Sequence, residues 1–212
     1  SSESAATMFC GAGYLWVWTH SLRGDPELYA GVLSVPLILS KVEIGGDASS
    51  MNVMKKASLA ILRDDAAPHA QAPHGGVRIV ISGGILSGSA SQQSRRCPEW
   101  TLLEVGAASS GPWAKFVAAG TLKRARCGHS ASYIPPRLAG ATHPQGCVVM
   151  FGGEAVSGWW ESAELLSLDT LTSELVELTQ PSGSGSCESG IACRAGHSAV
   201  LLESSSSPQD ED

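Results

Sequence analysis

A six-residue phrase occurs twice in this chain. Arg126, Cys127, Gly128, His129, Ser130 and Ala131 return as Arg194, Ala195, Gly196, His197, Ser198 and Ala199, an offset of 68 residues from His129 to His197. A double glycine closing an apolar run also recurs, at Gly83 and Gly84 and again at Gly152 and Gly153, an offset of 69 residues. Two separate landmarks sharing nearly one period are the mark of one supersecondary unit copied in tandem, each copy burying its face against the next.

The composition suits many short strands. Of 212 residues, 43% are hydrophobic, enough for a buried core, while 24 glycines, 11 prolines and only 16% charged residues favour turns over long solvated helices. The formal charge is −6 and the 14 basic residues are scattered, so a surface that tracks phosphates is not expected, and nucleic acid is not an expected partner. The longest apolar stretch, Val32 to Leu39, is broken by Ser34 and Pro36 and is too short to cross a bilayer, so no membrane partner is expected. The chain opens on Ser1, Ser2 and Glu3 with no basic-then-apolar leader, and the six cysteines are too sparse for a disulfide scaffold and lack C-x-x-C spacing. These features predict reduced thiols in an intracellular protein, cytoplasmic or nuclear.

The unit starting at Arg126 reads as four strands. Ser130 to Ile134 alternates, Pro135 to Pro144 is a loop, and Val148 to Phe151 is a continuous apolar run of the kind buried on both faces. Leu165 to Asp169 and Leu175 to Leu178 complete it across a turn at Thr170 and Thr172. The preceding unit follows the same order: Lys56 to Leu62 where the Gly-His-Ser-Ala phrase is due, Val77 to Ile81, then Trp100 to Val105 and Trp113 to Val117 around a turn at Ser109 to Pro112. A fainter first unit has Tyr14 to Trp18 as its inner strand and Val35 to Ile44 as the next. The boundaries predicted are 1–54, 55–125 and 126–193 for three units, 194–203 for the first strand of another, and 204–212 for an acidic tail or truncated loop.

Gly-His-Ser-Ala, the run ending Phe151, Gly152, Gly153, and Leu168, Asp169 followed by Thr172 together resemble the kelch repeat, over roughly residues 55 to 203. The resemblance implies an all-β fold, an incomplete kelch-type β-propeller of four-stranded antiparallel blades. It assigns Trp113 to the tryptophan near the last strand, a position filled by Leu175 in the later unit, and has no clear match for the upstream tyrosine. Propellers use about four to eight blades, so three units imply a piece of a longer protein.

The repeat residues Gly83, Gly84, Trp113, Arg126, Gly128, His129, Gly152, Gly153, Asp169, Arg194, Gly196 and His197 have structural readings independent of the family. Glycines admit left-handed backbone or close approach, large side chains fill the wedge between sheets, and arginine satisfies carbonyls at sheet ends. His129 and His197 invite a metal, but no carboxylate or cysteine recurs beside them, so they are read as structural and no metal or cofactor is expected. Galactose oxidase, a copper enzyme, also carries a kelch propeller, yet Tyr14, Tyr29 and Tyr133 offer no match to its site. Cys127 and Cys147 flank one loop and could bridge, the alternative being buried free thiols; Cys187 and Cys193 lie in a Ser/Gly-rich loop. Ser204 to Asp212 reads as an unstructured loop insertion or a phosphorylated tail.

Trp159 and Trp160 are the candidate surface, anchoring a partner or packing between blades. No residue is assigned a catalytic role. Two functions remain open: a non-catalytic scaffold that binds another protein through its inter-strand loops, and the propeller appendage of an oxidase, sugar epimerase or transferase whose catalytic residues lie elsewhere.

Overall fold

The computed structural model describes residues 7–20, 26–34, 36–46, 56–63, 76–86, 95–160, 162–176, 195–197, 199 and 201. Apart from one helical turn the regular structure there is all β, arranged as three main sheets in succession along the chain, antiparallel but for one two-residue pairing, with two small hairpin pairs beside them. The first holds β1 (Thr7–Gly11), β2 (Tyr14–His20), β3 (Pro26–Val32) and β4 (Ser40–Val42) in that order. The second is built from β5 (Ile44–Gly45), β6 (Ser58–Leu62), β7 (Val77–Ser82), β10 (Glu99–Ala108) and β11 (Gly111–Thr121), ordered β6-β7-β10-β11-β5, with β5 parallel to β11. Between β7 and β10 lies a small pair, β8 (Ile85–Leu86) with β9 (Arg95–Arg96). The third sheet runs β12 (Ser130–Ile134), β13 (Cys147–Phe151), β16 (Ala163–Ser167) and β17 (Ser173–Val176). The turn α1 (Pro136–Ala139) follows β12, and the pair β14 (Glu154–Ala155) with β15 (Gly158–Trp159) follows β13. Each double glycine is thus followed at once by a two-residue strand, β8 after Gly84 and β14 after Gly153.

The apolar run of β7 makes sense in this arrangement. Successive side chains of a strand point to opposite faces, so Ile79 and Ile81 enter the core shared with the first sheet while Val80 enters the core shared with the third. The first core joins Trp16, Trp18 and Leu28 to Ile79, Leu103 and Val105; the second joins Val80, Trp100 and Leu102 to Val148, Met150 and Leu166. The middle sheet is therefore covered on both faces, and β10 is buried at every position from Trp100 to Gly106. Its two tryptophans are seated on glycines of the facing strand. Gly106 is opposite Trp113, where a Cβ would lie 2.5 Å from Cζ2 of the ring, and Gly120 is opposite Trp100, at 2.7 Å.

The first sheet departs from the sequence reading. Its third strand is Pro26–Val32, and in Val32 to Leu39, the longest apolar stretch of the sequence, every described residue is exposed. In β3 the alternation places Leu28 and Ala30 on the core face beside Trp18 and Trp16, although Pro26, Glu27 and Gly31 dilute the pattern. The predicted strand from Val35 to Ile44 contains Pro36, which has no N–H for a ladder. Only Ser40–Val42 pairs within the first sheet, and Ile44–Gly45 pairs instead with the second.

Cys10, Cys97, Cys127 and Cys147 are free thiols, so the bridge conceived between Cys127 and Cys147 is absent. Cys147 pairs with Ile134 at the far end of β12, whereas Cys127 precedes its start. At about 3.3 Å per residue, a strand of this length holds them well beyond disulfide reach. No helix among the described residues is long and apolar enough to cross a membrane.

Candidate binding site

The repeated phrase lies in the joint between sheets. Residues 126–129 thread between the two double glycines: the Gly84 N–H donates to the Arg126 carbonyl at 2.7 Å, and Cys127 and Glu154 exchange backbone hydrogen bonds of 3.2 and 2.8 Å. The Gly128 N–H donates to the Lys56 carbonyl at 3.0 Å, and the Gly196 N–H donates to the Gly128 carbonyl at 2.7 Å. Corresponding residues of successive units are therefore linked by the same backbone bond. All three have left-handed backbone, with φ of 56° at Lys56, 63° at Gly128 and 67° at Gly196.

Lysine at that position carries a strain that glycine does not, of order 1 kcal/mol or more, partly offset by the greater freedom of glycine in the unfolded chain. Lys56→Gly is expected to stabilise the fold by about 0.5–1 kcal/mol, read as a higher urea midpoint at unchanged slope; an unchanged or lower midpoint would show that the position is not strained.

The two histidines occupy matching corners. His129 Nε2 shares a hydrogen bond of 2.9 Å with Ser82 Oγ, and Ser58, opposite Ser82 in the ladder, donates its hydroxyl to the His129 carbonyl. His197 Nε2 shares a hydrogen bond of 3.0 Å with Ser130 Oγ, and its ring stands edge-on to Phe151, opposite Ser130, at 5.6 Å. These are Ser–His contacts, but they lie inside the joint: Ser82 is 0% and His129 3% exposed, and Nδ1 of His129 has no carboxylate to orient it. Burial, reinforced by the positive charge of Arg126, holds the His129 pKa down at about 3, which makes the imidazole a poor general base near neutral pH. Among the described residues no group of three His, Cys, Asp or Glu side chains is placed to hold a metal.

The same depressed pKa sets an acid sensitivity. Between the folded value of about 3 and the ordinary 6.5, the unfolded chain binds a proton at His129 that the folded chain does not. Stability is therefore complete above pH 6.5 and falls as pH drops toward 3. At pH 5, about 1.5 units below the ordinary value, the loss is about 2 kcal/mol at 1.36 kcal/mol per unit. Urea unfolding at pH 7.5 and 5.0 is expected to show this difference in the wild type and to show it reduced by about that amount in His129→Gln; equal losses in both proteins would assign the sensitivity elsewhere.

Arg126 anchors the joint from below. Its Nη2 is 3.0 Å from Glu164 Oε2, both side chains being 0% exposed, and its Nη1 donates to the carbonyls of Gly152 at 3.1 Å and Ser162 at 3.4 Å. The other oxygen of Glu164 accepts the Lys123 N–H. Glu164 was not singled out in the sequence, although alternation from Leu166 places it on the inner face of β16. Asp169 lies in the turn after β16, where Oδ1 accepts the Gln145 N–H at 3.0 Å and ties that turn to the loop before β13.

Trp159 and Trp160 have different surroundings. Trp160 donates its Nε1–H to the Ala125 carbonyl at 3.0 Å and carries the Arg124 guanidinium over its ring at 4.3 Å. Trp159 is 51% exposed. It overlooks a cleft of about 500 Å³ whose walls include Lys56, His129, Glu154, Gly196 and His197. Glu154 holds Arg96 at 3.3 Å and accepts the Cys127 thiol at 3.5 Å. Burial and then Glu154 raise the Cys127 pKa, so this cysteine is kept as a thiol and not as a nucleophilic thiolate. Arg194, Cys187, Cys193 and Ser204 to Asp212 lie outside the described residues.

No family model matches the chain, and no curated protein matches it. Among solved structures, one described as "Structure of YjhT" is 12% identical, with a TM-score of 0.47 over 82% of this chain and 45% of that one. The chain thus spans under half the length of that structure.

Proposed function

We propose that the chain is part of a non-catalytic kelch-type propeller scaffold that binds another protein through the cleft beside Trp159. The observation that carries the reading is the half-exposed indole of Trp159 on a hairpin whose base is fixed by part-buried contacts. Trp160 locks that base through Ala125 and Arg124, and the Trp160 N–H donates to the Gly153 carbonyl at 2.8 Å. A large aromatic side chain held rigidly at a cleft offers contact area at little cost in conformational entropy, the pattern of a binding hot spot. Gly84, Arg126 and Gly152, by contrast, are engaged in the joint between sheets. Loops on a rigid β framework are where recognition commonly resides.

The test is affinity capture followed by a titration with the recovered partner. Trp159→Ala is expected to weaken that partner by at least about 30-fold, corresponding to a hot spot of about 2 kcal/mol, with an unchanged circular dichroism spectrum. Retained affinity in Trp159→Ala would remove this surface from the proposal.

A further inference from the structure

The two small hairpins are copies of one device. β8 with β9 follows Gly84, β14 with β15 follows Gly153, and the next residue closes each in the same way: the Cys97 N–H donates to the Gly84 carbonyl and the Trp160 N–H to the Gly153 carbonyl, both at 2.8 Å. In the aligned ladders Ile85 pairs with Arg96 as Glu154 pairs with Trp159. Arg96 and Trp159 therefore hold the same position in successive hairpins, and the ion pair of Arg96 with Glu154 joins one hairpin to the next. Positive charge gathers at this junction. Arg95 and Arg96 form β9, the Arg124 guanidinium lies over the Trp160 ring, and the exposed Lys56 lines the cleft that Trp159 overlooks. Lys56 and Arg96 both lie near enough to the Cys127 thiol to pull against the rise in its pKa. Against these four cations stand Glu154, engaged by Arg96, and Glu99, at the start of β10. Among the described residues the balance at the junction is positive, in a chain whose net charge is −6.

Glu154 leaves Arg96 with capacity to spare. A guanidinium has five N–H donors; Nη2 holds Glu154 at 3.3 Å, and the side chain is 25% exposed. We propose that the segment taken up at this junction is an acidic peptide, with carboxylates at Lys56 and Arg96 and an apolar side chain against the Trp159 indole. The proposal rests on the reading of Trp159 as a partner surface and names the chemistry of that partner. Charge complementarity selects it: clustered basic side chains recognise acidic motifs, and opposite charge steers the encounter. Carboxylates suit the junction better than phosphates, because Glu154 stays beside Arg96 and repels a doubly charged group more strongly than a singly charged one. Both parts of the peptide are needed, since half-exposed cations hold an anion only loosely in water and an indole alone gives no preference for charge.

The probes are two fluorescein-labelled peptides of about ten residues, both with two leucines at the centre, one flanked by glutamates and the other by glutamines. Each is titrated with the full chain and read by fluorescence anisotropy. The glutamate peptide is expected to saturate below about 1 mM and to bind roughly 30-fold more tightly than the glutamine peptide. Lys56→Gln should lower that preference about threefold and Arg96→Gln roughly tenfold, with the affinity for the glutamine peptide unchanged in both. Arg96→Lys, which keeps the charge, should retain most of the preference. Lys115→Gln removes a positive charge from the exposed side of β11 and should change the preference by less than about twofold. Trp159→Ala should weaken both peptides together and leave their ratio as it is, so the ratio reports the cations and the shared affinity reports the indole. Equal affinity for the two peptides, with Trp159→Ala still weakening both, would overturn the acidic partner and leave the indole surface standing. A retained preference that Trp159→Ala does not weaken would remove the indole surface, and this proposal with it. Absence of saturation by the glutamate peptide, a preference unchanged in Lys56→Gln and Arg96→Gln, or a short oligouridylate that binds more tightly than the glutamate peptide would each overturn the proposal.

Discussion

Glu164→Ala is expected to cost about 3–5 kcal/mol of folding stability, a large share of the roughly 5–15 kcal/mol available to a domain. The reason is what remains behind. Arg126 has no exposure to water, and its guanidinium would be left in the joint with the Gly152 and Ser162 carbonyls but no counter-charge. Burial already pulls the Arg126 pKa down, against the opposing effect of Glu164; without the carboxylate only the penalty remains. The Lys123 N–H would lose its acceptor as well. The ion pair itself need not be a net gain over a dry apolar contact, because desolvating two charges consumes most of their attraction. Arg126→Met combined with Glu164→Leu is therefore expected to recover most of the loss that Glu164→Ala produces. Urea unfolding of the two proteins decides it: a single variant within about 1 kcal/mol of wild type would show that water reaches the guanidinium after all.

Where the sequence carried a strong local signal, the strands are where that signal places them. The continuous apolar run of β7 was legible because both its faces are buried, and the turn between β10 and β11 was legible because small and turn-forming residues interrupt two apolar segments. β3 was hard to read for the opposite reason: Pro26, Glu27 and Gly31 mask its alternation, and the nearby Val32 to Leu39 attracts the eye without pairing into a core. The parallel contact of β5 with β11 joins two residues to a partner some seventy positions away, and nothing local specifies such a pairing. At the site, Trp159 ends β15 and Trp160 follows it, and the two neighbours have different surroundings. One indole is bound into the base of the hairpin and the other faces the cleft. Glu164 was within reach of the same rule, since it stands two residues before the buried Leu166. Its partner was not, because Arg126 and Glu164, 38 positions apart, are brought together only by the stacking of strands.

The double glycine yields the second large effect. Gly83→Ala is expected to cost about 2–4 kcal/mol, the sum of two separable contributions. Gly83 has φ of +59°, a conformation that costs an L-residue about 1 kcal/mol. A methyl group there would also press on the Arg126 carbonyl and come 2.6 Å from Cε1 of His129. Neither neighbour can yield cheaply: the Arg126 carbonyl accepts the Gly84 N–H at 2.7 Å, and the His129 ring is held by Ser82. Overpacking of this kind adds about 1–3 kcal/mol. Gly13 separates the contributions, because it too has positive φ, at 79°, but a Cβ there would meet nothing within 4 Å. Gly13→Ala should therefore cost only the conformational part, about 1 kcal/mol, and the excess in Gly83→Ala measures how closely the Arg-Cys-Gly-His segment is pressed onto the preceding sheet. Equal losses at the two positions would mean that the joint is loose, and that the recurring glycines are kept for their backbone conformation and not for the approach of the next unit.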